Sequence, residues 1–134
     1  MSASALETAL TTAIRDSAAL KSSFGDPVRL VEQTGARVSF PYLRLARHDT
    51  RAPGPEDGVS EHRIDVEIIS RAGGRAEALN LLSTVSDEIR AADITPAGVT
   101  LILLHPVYSD VFLRRDQVSW RGLLRLRALT ENSQ

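Results

Sequence analysis

The sequence predicts an α+β protein: a mostly antiparallel sheet of about four to five strands, with an N-terminal helix and one long helix packed on one face. Three observations predict it. Apolar residues recur at helical spacing near the N-terminus and again in AEALNLLSTVSDEIRAA, and the stretches between alternate with a period of two. Most connections between the alternating stretches are of hairpin length, which favours antiparallel pairing. The segment 62–92 joins a strand, a glycine turn and an amphipathic helix, and is the clearest of these signals. At 134 residues, the chain fits one domain covering 1–134.

Leu6, Leu10, Ala13 and Ile14 give the first helix its apolar face. Ser2 or Ser4 can cap it, with Glu7 three residues after Ser4 as a capping-box partner. Leu20 and Phe24 anchor a last short turn before Gly25, Asp26 and Pro27 end it. Residues 28–31 read as a short strand, and Gln33, Thr34 and Gly35 as a turn. Pro41 biases Phe40 towards extended backbone. The run 42–49 then alternates, with Leu43 and Leu45 on one face and Arg44, Ala46 and His48 on the other.

The strand that follows places Ile64, Val66 and Ile68 inward and Arg63, Asp65 and Glu67 outward. If Leu43 and Leu45 share the inward face, paired residue numbers in this hairpin sum to an odd value, because a slip of one residue would invert every side chain. Sums of 109 or 111 then set Arg44 opposite Asp65 or Glu67, a cross-strand ion pair in either register. The hairpin connection 50–60, TRAPGPEDGVS, is longer than a hairpin needs and reads as a partner-contacting loop.

In the second helix Ala78, Leu82, Val85 and Ile89 lie in line, with Leu81 and Ala92 beside them. A turn at 93–98 leads to an apolar strand, 100–105, that Pro106 is expected to end. The polar stretch 108–116 reads as a second contacting connection. The run 117–130 is the longest strand, with Val118, Trp120, Gly122, Leu124, Leu126 and Ala128 on one side and Ser119, Arg121, Arg125 and Arg127 on the other. Gly122 marks a possible bulge, and the tail ENSQ is expected to fray.

Composition removes several classes of function. There is no cysteine, so disulfides, thiolate catalysis and cysteine metal sites are excluded. The formal charge is −1 with both signs dispersed, which leaves no footprint for nucleic acid or anionic membrane. All basic residues except Lys21 are arginine. No stretch approaches the roughly 20 apolar residues of a membrane span, and the N-terminus, with Glu7 early, does not read as a signal peptide.

The turn formed by Arg71, Ala72, Gly73, Gly74 and Arg75 follows a strand and opens a helix, where a phosphate could bind. It matches neither G-x-x-x-x-G-K-[ST] nor G-x-G-x-x-G, and no parallel crossover is expected. It reads as a tight turn with positive-φ glycines. His48, Asp49, Glu61 and His62 flank the long loop, but the register puts His48 outside and His62 inside, so they are not expected to share a metal. His105 reads as a capping or packing histidine. Arg121, Arg125 and Arg127 make a basic stripe without the stacking aromatics that a single strand needs. Pairing with Asp65 and Glu67, or with an acidic partner surface, suits it better. No catalytic, metal or cofactor-binding set is found.

Three stretches together resemble a known family: Phe40-Pro41-Tyr42-Leu43; Ile69 to Ala78, with its S-R-x-x-G-R-x-E-A pattern on Ser70, Arg71, Gly74, Arg75 and Glu77; and Trp120 to Ala128. In this order, behind an N-terminal helix, they resemble the tail-completion, or tail-terminator, proteins of long-tailed bacteriophages and gene transfer agents. The resemblance implies a structural, non-enzymatic virion protein. Its members form a ring, expected to be a hexamer, that caps the head-proximal end of the tail tube, stops tube growth and joins the head connector. The implied partners are other copies of the chain, the tail-tube protein and the connector, with no membrane, no cofactor and no sequence-specific nucleic acid, although DNA is free to pass through the ring. The implied location is the head–tail interface of a particle made in the bacterial cytoplasm. A head-side neck protein and a small phosphate-binding domain are the alternatives. From the pattern of the residues, Arg51, Glu56, Asp57, Arg114 and Arg115 are the candidate partner contacts.

Overall fold

The computed structural model describes residues 2–32, 38–55 and 57–132. Helix α1 (Ser2–Asp16) buries Leu6, Leu10 and Ile14 at the spacing of its apolar stripe. It breaks at Ser17, whose hydroxyl accepts a hydrogen bond from the Leu20 amide (3.2 Å) and starts helix α2 (Ala18–Phe24). The same hydroxyl donates to Glu88 Oε1 at 2.6 Å and ties α2 to helix α3 (Gly74–Ala91). Because α1 begins at Ser2, Ser4 lies inside it rather than at its cap, and Glu7 is not a capping-box partner. Its carboxylate reaches His48 instead.

Five strands, β1 (Leu30–Val31), β2 (Tyr42–Arg51), β3 (Val59–Ser70), β4 (Val99–Leu113) and β5 (Trp120–Asn132), form one sheet in the order β1-β2-β3-β5-β4. All pairings are antiparallel except β1 with β2, which is parallel over Leu30↔Leu43 and Val31↔Arg44. A parallel pair was not expected. It spans only a two-residue edge, and β3, which leads into the glycine turn, has antiparallel neighbours on both sides, so it makes no nucleotide crossover. The expected turn at Gln33, Thr34 and Gly35 lies outside the described residues.

The inner face of the sheet carries Leu43, Ile64, Val66, Ile68, Leu124, Leu126 and Ala128, and α1, α2 and α3 cover it with Leu6, Leu10, Ile14, Phe24, Val85 and Ile89. Among the described residues no helix covers the outer face, which explains the alternation of β3 and β5: apolar inward, charged outward. The sum-of-111 register is the one adopted from Tyr42↔Ile69 to Leu45↔Val66, with Arg44 opposite Glu67.

Three sequence expectations are corrected. The hairpin contains a bulge between Leu45 and Arg47, after which the pairs become Arg47↔Asp65, His48↔Ile64 and Thr50↔His62. One extra residue inverts the remainder of the strand, so His48 points inward. Pro106 does not end its strand. β4 runs on to Leu113, making it the longest strand and turning most of 108–116 from a connection into sheet. β4 is an edge, where a missing N–H is tolerated, and its register shifts between Pro106 and Tyr108. Gly122 is not at a bulge. It pairs regularly with Ile68 and Val111, and an added Cβ would meet Ile68 and Leu82 at ordinary contact distances.

Candidate functional site

The inverted half of β2 brings together side chains that a perfect alternation would separate. His62 is 0% exposed. Its Nδ1 lies 2.8 Å from His48 Nε2, and its Nε2 lies 2.9 Å from Thr130 Oγ1 and 3.3 Å from Ser2 Oγ. His48 Nδ1 meets Glu7 Oε2 at 2.8 Å, and the Thr130 hydroxyl donates to Ser2 at 3.1 Å. A continuous chain, Glu7–His48–His62–Thr130–Ser2, therefore clamps α1 to β2, β3 and β5. Two facing ring nitrogens share one proton between them, so this pair cannot be doubly protonated in place. Burial first, and the neighbouring His48 second, hold the His62 pKa below its ordinary value. The expectation that the two histidines lie on opposite faces is overturned by the bulge. The shared-metal idea gains nothing from this: the ring nitrogens point at each other, and no group of three or more His, Cys, Asp or Glu suited to a metal occurs among the described residues.

On the outer face the basic stripe pairs across the sheet. Glu67 accepts from Arg44 Nη1 at 2.8 Å and from Arg121 Nε. Asp65 takes both Nε (2.9 Å) and Nη2 (3.2 Å) of Arg125. Glu61 joins Arg51 (2.8 Å) and Arg127 (2.6 Å). Asp65 and Glu67 are only 6% and 7% exposed although no helix covers them, because the arginine stems lie over them. Arg121 and Arg125 also cover the rings of Phe112 and Tyr108 on β4. Planar guanidinium groups can serve a carboxylate and an aromatic face at once, a use lysine would not match.

The family-signature turn forms the corner between β3 and α3. Ser70 is fully buried. Arg71 stacks over Phe40, 5.3 Å from its centroid, which joins two of the three signature stretches. Gly74 has φ +63°, while Gly73 has φ −90°, so only one of the two glycines needs the left-handed region. A Cβ on Gly73 would lie 2.6 Å from Glu77 Cβ and 3.0 Å from its carboxylate. That carboxylate lies against the N-terminus of α3, where a phosphate would have to bind. Arg75 is exposed.

The candidate contact residues fall at opposite ends of the sheet. Arg51 and Asp57 lie at the β2–β3 end, exposed, and Glu56 lies outside the described residues. Arg114 and Arg115 lie at the β4–β5 turn. Sequence reasoning missed how that turn is built. Asp116 accepts hydrogen bonds from the amides of Val118 and Ser119 (both 2.9 Å) and from the Ser119 hydroxyl (2.6 Å), while Arg114 donates to Ser119 Oγ at 3.2 Å. The Ser119 bonds lead in pulling the Asp116 pKa down to about 2. An Asp with a Ser three residues on, between two strands, was the available signal. Most of the exposed large apolar side chains among the described residues, Ile102, Val107, Tyr108, Phe112, Leu113 and Val118, belong to β4 or this turn, while Leu79 lies on α3.

This is a sheet-and-helix α+β protein whose polar residues largely hold its own layers together. The family model for tail completion protein gp17 matches residues 8–131, and the chain belongs to that family. Two solved structures share its fold. One, from the virion of the native gene transfer agent particle, superposes with a TM-score of 0.84 at 23% identity, covering 98% of each chain. The other, bacteriophage SPP1 gp17 protein, gives 0.63 at 20% identity, covering 94% of this chain and 88% of that one. Comparison with curated proteins returned no match.

Proposed function

We propose that the chain is a non-enzymatic structural protein of a phage or phage-like particle, a tail terminator. It assembles into a ring, expected to be a hexamer, at the head-proximal end of the tail tube, stops tube growth and joins the tube to the head connector. The observation that carries this reading is the family match across residues 8–131. The likeness in fold to a chain of a gene transfer agent virion and to gp17 of SPP1 supports it. The internal commitment of His48, His62 and the outer-face arginines Arg44, Arg121, Arg125 and Arg127 also supports it. Arg51, Glu56, Asp57, Arg114 and Arg115 are proposed as partner contacts, with tube, connector or neighbouring copy.

The test is deletion in the particle-producing host, followed by electron microscopy. Heads without attached tails and tubes of uncontrolled length are expected, with normal particles restored by the intact chain. Normal tailed particles in the deletion strain would refute the role.

A further inference from the structure

We infer that the β4–β5 turn of one copy docks into a groove between α1 and the end of α3 on the next copy, and that this contact closes the ring. The inference rests on the ring reading above and supplies its interface. A ring requires two different, complementary patches on each subunit, placed so that successive copies join head to tail.

The projecting patch is the turn after β4. Leu113 and Val118 are 43% and 48% exposed, a composition unusual for a turn facing water. Arg114 and Arg115 flank them. The Asp116 hydrogen bonds to Val118 and Ser119, and the Arg114 amide bonded to the Ser119 carbonyl at 2.9 Å, hold the turn in one shape before any partner arrives. A preformed contact loses less conformational freedom on binding than a mobile one.

The receiving patch is a groove of about 620 Å³ between α1 and the residues ending α3. Its floor includes Ala9, Ala13 and Ala92, and its rim carries Asp16, Glu88 and Asp93. The small floor admits Leu- and Val-sized side chains, and the acidic rim opposes the two arginines in sign. Among the described residues, Asp16, Asp93 and Arg115 enter no ion pair. Placement completes the case. The pairs Ser70↔Trp120 and Leu113↔Trp120 set the turn beside the start of α3, and the groove lies at its other end. Fourteen helical residues, 74–87, separate the two patches, about 21 Å at 1.5 Å each. One subunit can therefore use both at once.

Charge reversal tests the contact in both directions. A turn variant, R114E/R115E, and a groove variant, D16R/D93R, are checked for folding by circular dichroism. Their assembly is then measured by native mass spectrometry, alone and with tail-tube protein. The wild type is expected to form rings, and each variant alone to associate at least about tenfold more weakly, as like charges meet across the contact. Mixing the two folded variants should restore rings, since both kinds of junction then carry opposite charges. Wild-type rings with either variant assembling unimpaired, or with no rescue on mixing, would overturn this interface and leave the ring reading standing. A wild type that stays monomeric in both settings overturns the ring reading, and the interface with it.

Discussion

His62 is closed off from solvent, and both its ring nitrogens are engaged, so its charge state matters to the fold. The groups facing it are His48 and Thr50 from β2, Thr130 from β5 and Ser2 from α1, with Glu7 behind His48. Its pKa in the folded protein lies below the ordinary 6.5, so the folded state binds fewer protons than the unfolded one. The stability this contributes is complete above pH 6.5 and is lost as pH falls through the depressed folded value. Melting curves between about pH 8 and about pH 5 should show a Tm that declines on the acid side. A His62→Gln variant should decline less steeply, while costing about 1–3 kcal/mol at neutral pH through its imperfect replacement of two hydrogen bonds. Parallel pH profiles for the two proteins would rule His62 out as the titrating group. The individual histidines were visible in the sequence, but their meeting was not.

The bulge in β2 takes up Ala46 and so lets His48 point inward. Deleting Ala46, the extra residue at the register shift, should close the ladder so that Arg47↔Asp65 follows Leu45↔Val66 directly and His48 stays opposite Ile64, facing inward. The expected result is a folded hairpin that keeps His48 against His62, read as contacts between the two imidazole rings by NMR. Loss of those contacts would show that the bulge itself, and not the register beyond it, holds the pair together. On the outer face, Glu67→Gln leaves Arg44 and Arg121 without their countercharge. A loss of about 1–3 kcal/mol is expected, seen as a Tm drop of roughly 3–5 °C per kcal/mol for a chain of this size; an unchanged Tm would mean that the pair is fully screened. Strict periodicity made α1, α3, β3 and β5 legible, along with the ladder Arg44–Glu67 and Arg125–Asp65. A bulge leaves no trace in a period-two pattern, because one added residue looks the same as a switch of face. The true end of β4 was hidden for a related reason: proline stops a central strand but not an edge, and edge position follows from sheet order rather than local sequence.

At the scale of the whole molecule, the S-R-x-x-G-R-x-E-A corner pointed to the family together with the stretches 40–43 and 120–128, and it marks the place where sheet, glycine turn and helix meet. The surfaces were less legible. Arg114 and Arg115 could be singled out, but the groove draws residues from α1 and from the end of α3, more than seventy positions apart at Asp16 and Asp93, and only folding brings them together. The sheet also has unequal edges. One ends in the two-residue β1, and the other in the fifteen-residue β4. β1 covers only Leu43 and Arg44 of β2, while β4 bears exposed Val107, Tyr108, Phe112 and Leu113, so the two sides offer an edge-on partner different surfaces.

The long ladder has a mechanical consequence. β3 and β5 pair without interruption from Val59↔Glu131 to Ser70↔Trp120, and β5 continues into β4 through the turn. Ladder hydrogen bonds lie across the strands. If neighbours pull on the turn at one end and on the groove side at the other, the load runs along β4, which joins groove residue Ala97 to the turn, and reaches β5 and β3 through their ladders. It then shears the whole row of bonds together instead of unzipping them one after another. Such a subunit resists tension along its strands far better than peeling.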